Sequence, residues 1–267
     1  MFFIVPVVMM AYTSLESGGV LTGFRFTWAW GTYASALSGK GVFLIRSLEF
    51  AFLTAAGTIV LAFPATYWIA FYGGRWKSTL LFMILLPYFV SFMIRTVMWK
   101  FLLADTGPFL GLLKDLHLLP DRFRVLATPF AVVFGLIYNY LPFAALPLYV
   151  ALERIDPALI EAARDLYAGR VQAFLKVVFP LALPGVFAAT LLTFVPATGD
   201  YVEAEVLGGT GSYMIGNIIQ DEFLQRARYP TAAALSLVLM LGMVILTSIY
   251  ARTLGTEDET LTAAVTA

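Results

Sequence analysis

The sequence predicts an all-α membrane protein of about six transmembrane helices, and three observations carry that prediction. Hydrophobic residues make up 60% of the 267 and charged residues only 13%, where soluble domains run near 45–50% and about 25%. Mean hydropathy is +0.85, and a soluble fold of this length would expose apolar patches of a size that monomers rarely carry. The apolar residues also fall in runs that match a hydrocarbon core ~30 Å thick, which takes roughly 20 residues of helix to cross.

In chain order the first run is Phe2–Tyr12, which reaches only halfway across. Its length suits a signal-peptide core, but no basic residue precedes it and no clear small-residue cleavage site follows. It reads as a first helix whose upstream half is missing. Ser47–Phe71, Thr79–Leu103, Pro129–Leu152, Leu181–Pro196 with a polar extension, and Pro230–Tyr250 are the other five. Pro64, Pro87, Pro142, Pro147, Pro184 and Pro196 sit inside these runs. In water a mid-helix proline costs ~3 kcal/mol, but in a bundle neighbouring helices re-satisfy the freed carbonyls. The prolines are therefore kinks, serving either ordinary packing or helices that rock between two states. Ala55, Ala56, Gly57 and Thr58 predict close helix contact on the second span. Trp28, Trp30, Tyr33, Trp76 and Trp99 suit an interfacial belt.

Formal net charge is zero, which provides no basic field for nucleic acid, and Glu257-Asp258-Glu259 is too short for an acidic tail. The absence of cysteine excludes disulfides and thiolate metal sites. His117 reads as a surface residue, because a metal site needs several converging ligands, so no metal is expected. With six spans, seven loop Lys/Arg fall on each side of the membrane, and the positive-inside rule leaves the orientation open. The acids, from Glu16 through Asp105, Asp115, Asp121, Asp200, Glu203 and Glu205 to Asp221 and Glu222, all lie on the side away from Arg75 and Arg154. Arg95 lies mid-span, where an unpaired charge costs ~2.5–3.5 kcal/mol. Glu49, one span earlier, is its candidate partner, and Lys100 can snorkel.

The most informative loop is 153–180. Asp156 can cap a helix and Pro157 suits its first turn, while Gly169 suits a left-handed stop. The span 157–168 is too short and polar to cross a membrane. Leu159, Ala162, Ala163 and Leu166 recur at i, i+3, i+4 and i+7 on one face, flanked by Glu161, Arg164 and Asp165. Helices that lie on lipid are rich in Lys/Arg and carry large apolar anchors. This one has a single Arg, two acids and a small-residue face, and is built to sit against protein.

Glu161-Ala162-Ala163, followed at fixed spacing by Val177-Val178-Phe179-Pro180, resembles the EAA loop of permeases from binding-protein-dependent ABC importers. That pattern places a glycine at Tyr167, so this chain departs from it there, with Gly169 two residues on. Leu86–Leu103, Phe194–Gly209 and Met214–Leu224 are similar to the spermidine/putrescine-type permeases of the superfamily.

The resemblance implies a type I importer permease fold, one transmembrane domain over 1–267 in the bacterial inner membrane, and a cytoplasmic loop 153–180. It makes 157–168 the coupling helix, with Leu159, Glu161, Ala162, Ala163, Leu166, Tyr167 and Gly169 contacting an ATPase. It implies that ATP and magnesium belong to two separate ATP-binding subunits and that this chain binds no cofactor. In keeping with that, Gly73-Gly74-Arg75-Trp76-Lys77-Ser78 lacks the glycine that precedes the lysine of a phosphate loop. The other implied partners are a second permease, identical or different, membrane lipid, and a periplasmic or lipid-anchored solute-binding protein; contact with that protein is the alternative to the belt for Trp28 and Trp30.

A polyamine cargo makes Asp200, Glu203 and Glu205 candidates for an acidic path; the alternative is solvated loop acids, or pairs with Arg226 and Arg228. Arg95 would repel such a cargo and reads as a structural or gating group. An opine, another amine, an iron complex or an oxyanion remain alternative solutes. A stand-alone secondary carrier would need coupling charges at mid-membrane and often inverted repeats; no repeat is evident and intramembrane ionisable residues are few. An intramembrane enzyme lacks a catalytic constellation.

Overall fold

The computed structural model describes residues 4–20, 22–120 and 122–265, the last thirteen as backbone only. Phe2, Asp121 and the side chains of Glu257, Asp258 and Glu259 lie outside the described residues. The chain divides into two compact units, Met1–Val42 with Ile218–Ala267, and Phe43–Asn217.

In the first unit, α1 (Ile4–Ser14) packs along the C-terminal helix, and a hairpin of β1 (Glu16–Gly19) and β2 (Gly23–Phe26) leads to α2 (Gly31–Leu37). The hairpin is absent from the reading of the sequence. Gly18 enables it: at φ +120 a Cβ there would lie 2.1 Å from the Gly23 carbonyl oxygen, so only glycine fits. Tyr12, Phe26, Trp28, Trp30 and Tyr33 form a ladder of rings with successive centroids 4.8, 4.9, 6.4 and 6.0 Å apart. In the return segment of this unit, Glu222 is buried and accepts from Lys40 at 2.9 Å, with Arg226 at 3.3 Å and Arg228 at 3.9 Å. Arg226 also meets Asp221 at 2.9 Å, so these arginines have carboxylate partners of their own.

The second unit holds α3 (Gly41–Tyr72), whose first two residues belong to the first unit, then α4 (Lys77–Leu85), α5 (Phe92–Leu102), α6 (Leu110–Asp115), α7 (Pro129–Glu153) and α8 (Pro157–Asp165). After α9 (Arg170–Ala173) a π-helical turn, Phe174–Val178, runs into α10 (Phe179–Gly199); then come α11 (Val202–Val206) and the start of α12 (Ile215–Gln220). The last helix of the chain, α13 (Tyr229–Val265), belongs to the first unit. Among the described residues, Gly41–Tyr72, Pro129–Glu153, Arg170–Gly199 and Tyr229–Arg252 are long and apolar enough to cross a membrane.

Two expected spans change shape. Thr79–Leu103 is no single rod: a 3₁₀ turn at Leu86–Phe89 ends the first half, and α5 leaves at 89°. Pro87 removes a donor and crowds the preceding turn, and Val90 and Ser91 are extended. The span expected to start at Leu181 begins at Arg170 instead, because Pro180 and Pro184 are accommodated without a break and Arg170 and Lys176 stay at its end. Trp99 packs edge-on to Phe134 and Tyr138.

The core of this unit is the antiparallel pair α7 and α10. Ala144, Ala145, Leu148 and Leu152 meet Val178, Ala182 and Ala189, and Ala62, Phe63 and Ile69 of α3 close the cluster. Small side chains let the backbones approach closely, which drives association where lipid removes the hydrophobic term.

Candidate functional site

Two places carry the predicted residues, at opposite ends of α10. At the first, Asp156 Oδ1 accepts from the Ala158 N–H at 2.9 Å and Pro157 opens the first turn of α8. The helix rests against the π-helical turn Phe174–Val178, and Ile160 packs on the core cluster. A π-helical turn is a local weakening that recurs at functional places in helices. Lys77 and Glu153, 3.6 Å apart, tie the neighbouring ends of α4 and α7.

No residue of α8 is buried. Leu159, Glu161 and Ala162 are exposed, Ala163 is half-covered, and Leu166 and Tyr167 are 82% and 98% exposed. The face expected to contact an ATPase is therefore open in this chain. Two boundaries also shift. The helix ends at Asp165, and the left-handed residue that stops it is Tyr167 at φ 61, not Gly169. Gly169 is extended, and its N–H donates to Gln172 Oε1 at 3.2 Å at the start of α9. The stop thus falls where the motif has its glycine, so the sequence substitutes a strained tyrosine at the one position that favours glycine.

At the second place, α11 folds back after Gly199 against α5 and α7. Asp200 Oδ1 accepts from the Val202 N–H at 2.9 Å, and Asp200 Oδ2 accepts from Tyr140 Oη at 2.9 Å. Glu203 is 0% exposed. Its Oε1 accepts from Thr96 Oγ1 at 3.1 Å and from Asn139 Nδ2. Gly135 makes room for it, since a Cβ there would sit 2.5 Å from Leu207 Cδ1 and 3.1 Å from Glu203 Cγ. The structure thus joins Asp200 and Glu203 and leaves Glu205 apart and exposed.

The expected Glu49–Arg95 pair is not formed. Arg95 is buried, with its guanidinium over the rings of Tyr88 and Phe92 at 5.8 and 6.0 Å, and Glu49 is exposed. The expectation assumed a straight span, and the 89° break redirects everything after Ser91. Thr96, Asn139 and Tyr140 were not singled out. Asn139 could have been, as the one side-chain amide in α7, because polar groups inside spans are costly and functional by default.

Similarity to known proteins agrees with this architecture. The chain is 34% identical over 209 residues to the spermidine/putrescine transport system permease protein PotB of Escherichia coli, covering 78% of this chain and 76% of that protein. It is 35% identical over 207 residues to PotB of Haemophilus influenzae, covering 78% and 72%. Among solved structures, a bacterial ABC transporter involved in the import of the acidic polysaccharide alginate superposes with a TM-score of 0.68 at 19% identity, covering 94% of this chain and 90% of that one. The MetNI methionine ABC transporter in an inward-facing conformation does so with 0.59 at 19%, covering 79% and 92%. At such identities the likeness shows the fold, a type I ABC importer permease. Residues 1–253 match one family throughout, and the chain belongs to it: the inner membrane components of binding-protein-dependent transport systems.

Proposed function

We propose that this chain is the membrane subunit of an ABC importer that carries a polyamine-class cation inward, driven by ATP hydrolysis on two separate subunits that dock on α8. The observation that carries the reading is α8 itself. It is a capped helix with no buried residue, standing on the π-helical turn that leads into α10. An isolated nine-residue helix is marginal in water, so its open face calls for a partner. Movement of α8 would reach α10 through the π-helical turn, and the far end of α10 carries Asp200 and Glu203. In this reading the loop faces the cytoplasm, a second permease completes the pore, and a solute-binding protein delivers cargo from outside. ATP and magnesium are held by the partner subunits.

The polyamine class is favoured by the relatives named as spermidine/putrescine permeases and by the acids Asp200, Glu203 and Glu205 at the end of α10. The alginate transporter has the same fold, so fold alone does not select the cargo. Two measurements test the reading. Ala163→Trp on the α8 face should abolish co-purification of the ATP-binding subunit while the permease stays folded. Neutralising Asp200, Glu203 and Glu205 together should abolish putrescine uptake with assembly intact. Retention of the ATPase by the tryptophan variant would sink the docking role, and unchanged uptake would remove the acids from the path.

A further inference from the structure

Arg95 carries one unmet half of an ion pair, and the other half lies across the contact between α5 and α11. Both groups are buried, Arg95 at 7% exposure and Glu203 at 0%. Arg95 Nε and Nη1 have no acceptor, while Glu203 Oε2 and Asn139 Oδ1 have no donor. Buried polar atoms are nearly always hydrogen-bonded, so each orphan needs a physical reason. Here the unmet donors and the unmet acceptors share one neighbourhood. Arg95 precedes Thr96, whose Oγ1 donates to Glu203 Oε1 at 3.1 Å, and α5 packs against α11. The other donors on this cluster are already engaged: Asn139 Nδ2 on Glu203 Oε1, and Tyr140 Oη and the Val202 N–H on Asp200. The guanidinium lies instead over the Tyr88 and Phe92 rings, whose faces attract its charge but accept N–H groups only weakly. Two opposite charges buried apart are costly on both sides.

We propose that Arg95 and Glu203 are a switchable ion pair, held apart in this conformation and joined in the other conformation of the transport cycle. The seat that keeps Arg95 away depends on the break in the third span. Tyr88 lies before the break, in the 3₁₀ turn Leu86–Phe89, and Arg95 lies after it in α5. Between them Val90 and Ser91 are extended. Tyr88 is also pinned edge-on by Phe143 of α7, with ring centroids 5.3 Å apart. A change in the 89° angle therefore draws the Tyr88 ring away from Arg95, while Thr96 keeps α5 beside Glu203. The freed guanidinium has a fork of donors for Glu203 Oε2 and Asn139 Oδ1 together. The carboxyl is preset to receive it, because Thr96 and the Asn139 amide hold its other oxygen. Asp200 competes poorly: each of its oxygens already accepts a bond, and it is only half-buried. The pair thus latches one angle of the break and the aromatic seat the other. The proposal rests on the importer reading for the existence of two states and is independent of the cargo.

Vanadate trapping of nucleotide by the complete transporter measures the population of the ATP-driven state without reference to cargo. A pair present in one state only moves that equilibrium when it is lost. The ATP concentration for half-maximal trapping should shift by about fivefold or more, in the same direction, in Arg95→Met and in Glu203→Gln. The double variant should shift it no further than either single one, since one interaction can be lost only once. A pair formed in both states cancels from the equilibrium and gives no shift, and charges that never meet give shifts that add. Either result, in a complex that traps nucleotide, overturns the switch and leaves the docking role of α8 standing. A wild-type complex that traps no nucleotide overturns both. Where a variant does not assemble, Arg95→Gln or Glu203→Met takes its place in the cycle and decides by the same criteria.

Discussion

Replacing Gly185 with alanine tests whether close approach of α7 and α10 holds the second unit together. A Cβ at 185 would lie 2.4 Å from Ala151 Cβ, 2.9 Å from the Pro147 carbonyl oxygen and 3.4 Å from Leu148 Cα. Ordinary contact begins near 3.4 Å, so the helices must part by about 1 Å, the difference between 3.4 and 2.4. None of the three obstructing atoms can rotate away, because two belong to the backbone and one is a Cβ. A radial gap of that size forfeits a quarter to a half of each dispersion contact, and overpacking of this kind costs about 1–3 kcal/mol. Alanine regains about 0.5–1 kcal/mol of helix propensity over glycine, which leaves a net loss centred on about 1 kcal/mol and at most ~2.5 kcal/mol. At about 2–4 °C per kcal/mol for a chain of this size, that lowers the unfolding midpoint by roughly 2–4 °C, and by ~10 °C at most. Thermal unfolding in detergent reads it, with Gly242→Ala as the control, since a Cβ at 242 meets nothing within 4 Å. A Gly185→Ala midpoint at or above wild type, or an equal fall for Gly242→Ala, would refute the reasoning.

Three further outcomes follow from the same structure. Tyr167→Gly should leave stability unchanged or raise it by up to ~1 kcal/mol, because release of left-handed strain is partly offset by glycine's unfolded-state entropy; Tyr167→Val should lower it, a β-branched residue being a true outlier there. Both are read by thermal unfolding, and a loss in the glycine variant contradicts the strain argument. Glu222→Gln should destabilise the first unit by about 1–3 kcal/mol, below the 3–5 kcal/mol of a fully buried pair, because Lys40, Arg226 and Arg228 keep access to water; protease cleavage near residues 31–40 should accelerate. Asp105 is held below the usual carboxylate range by its hydrogen bond from Lys114 and by the Arg124 charge. A lowered folded pKa stabilises above the unfolded value and is lost as pH falls through the folded one. Protection factors of the amides over residues 105–115, corrected for the intrinsic pH dependence of exchange, should therefore fall only in acid, and a fall at neutral pH in low salt would contradict it.

Much of the fold was legible because the bilayer narrows the choices. Backbone polar groups in lipid must be satisfied within a segment, so an apolar run of span length reads as a helix. The start of α8 was equally legible, because Asp156 and Pro157 are local signals. Where several residues compete for one role, local signals failed. The left-handed stop went to Tyr167 although Gly169 was near, and Pro87 broke a span while Pro142, Pro147 and Pro184 did not. A proline reports a lost donor; whether the helix survives depends on what neighbouring helices offer the freed carbonyls.

By itself the sequence determined that the chain lives in lipid, roughly where it crosses, and that a short capped helix stands between two spans, because composition, run length and capping act over a few residues. Only the tertiary structure decided the 89° turn of the third span, the separation of Arg95 from Glu49, and the meeting of Thr96, Asn139 and Glu203. Those partners lie 43 to 107 residues apart. They come together because the backbones of α5, α7 and α11 approach over Gly135 and the small side chains around it, a geometry set by packing between helices and written in no single stretch of chain.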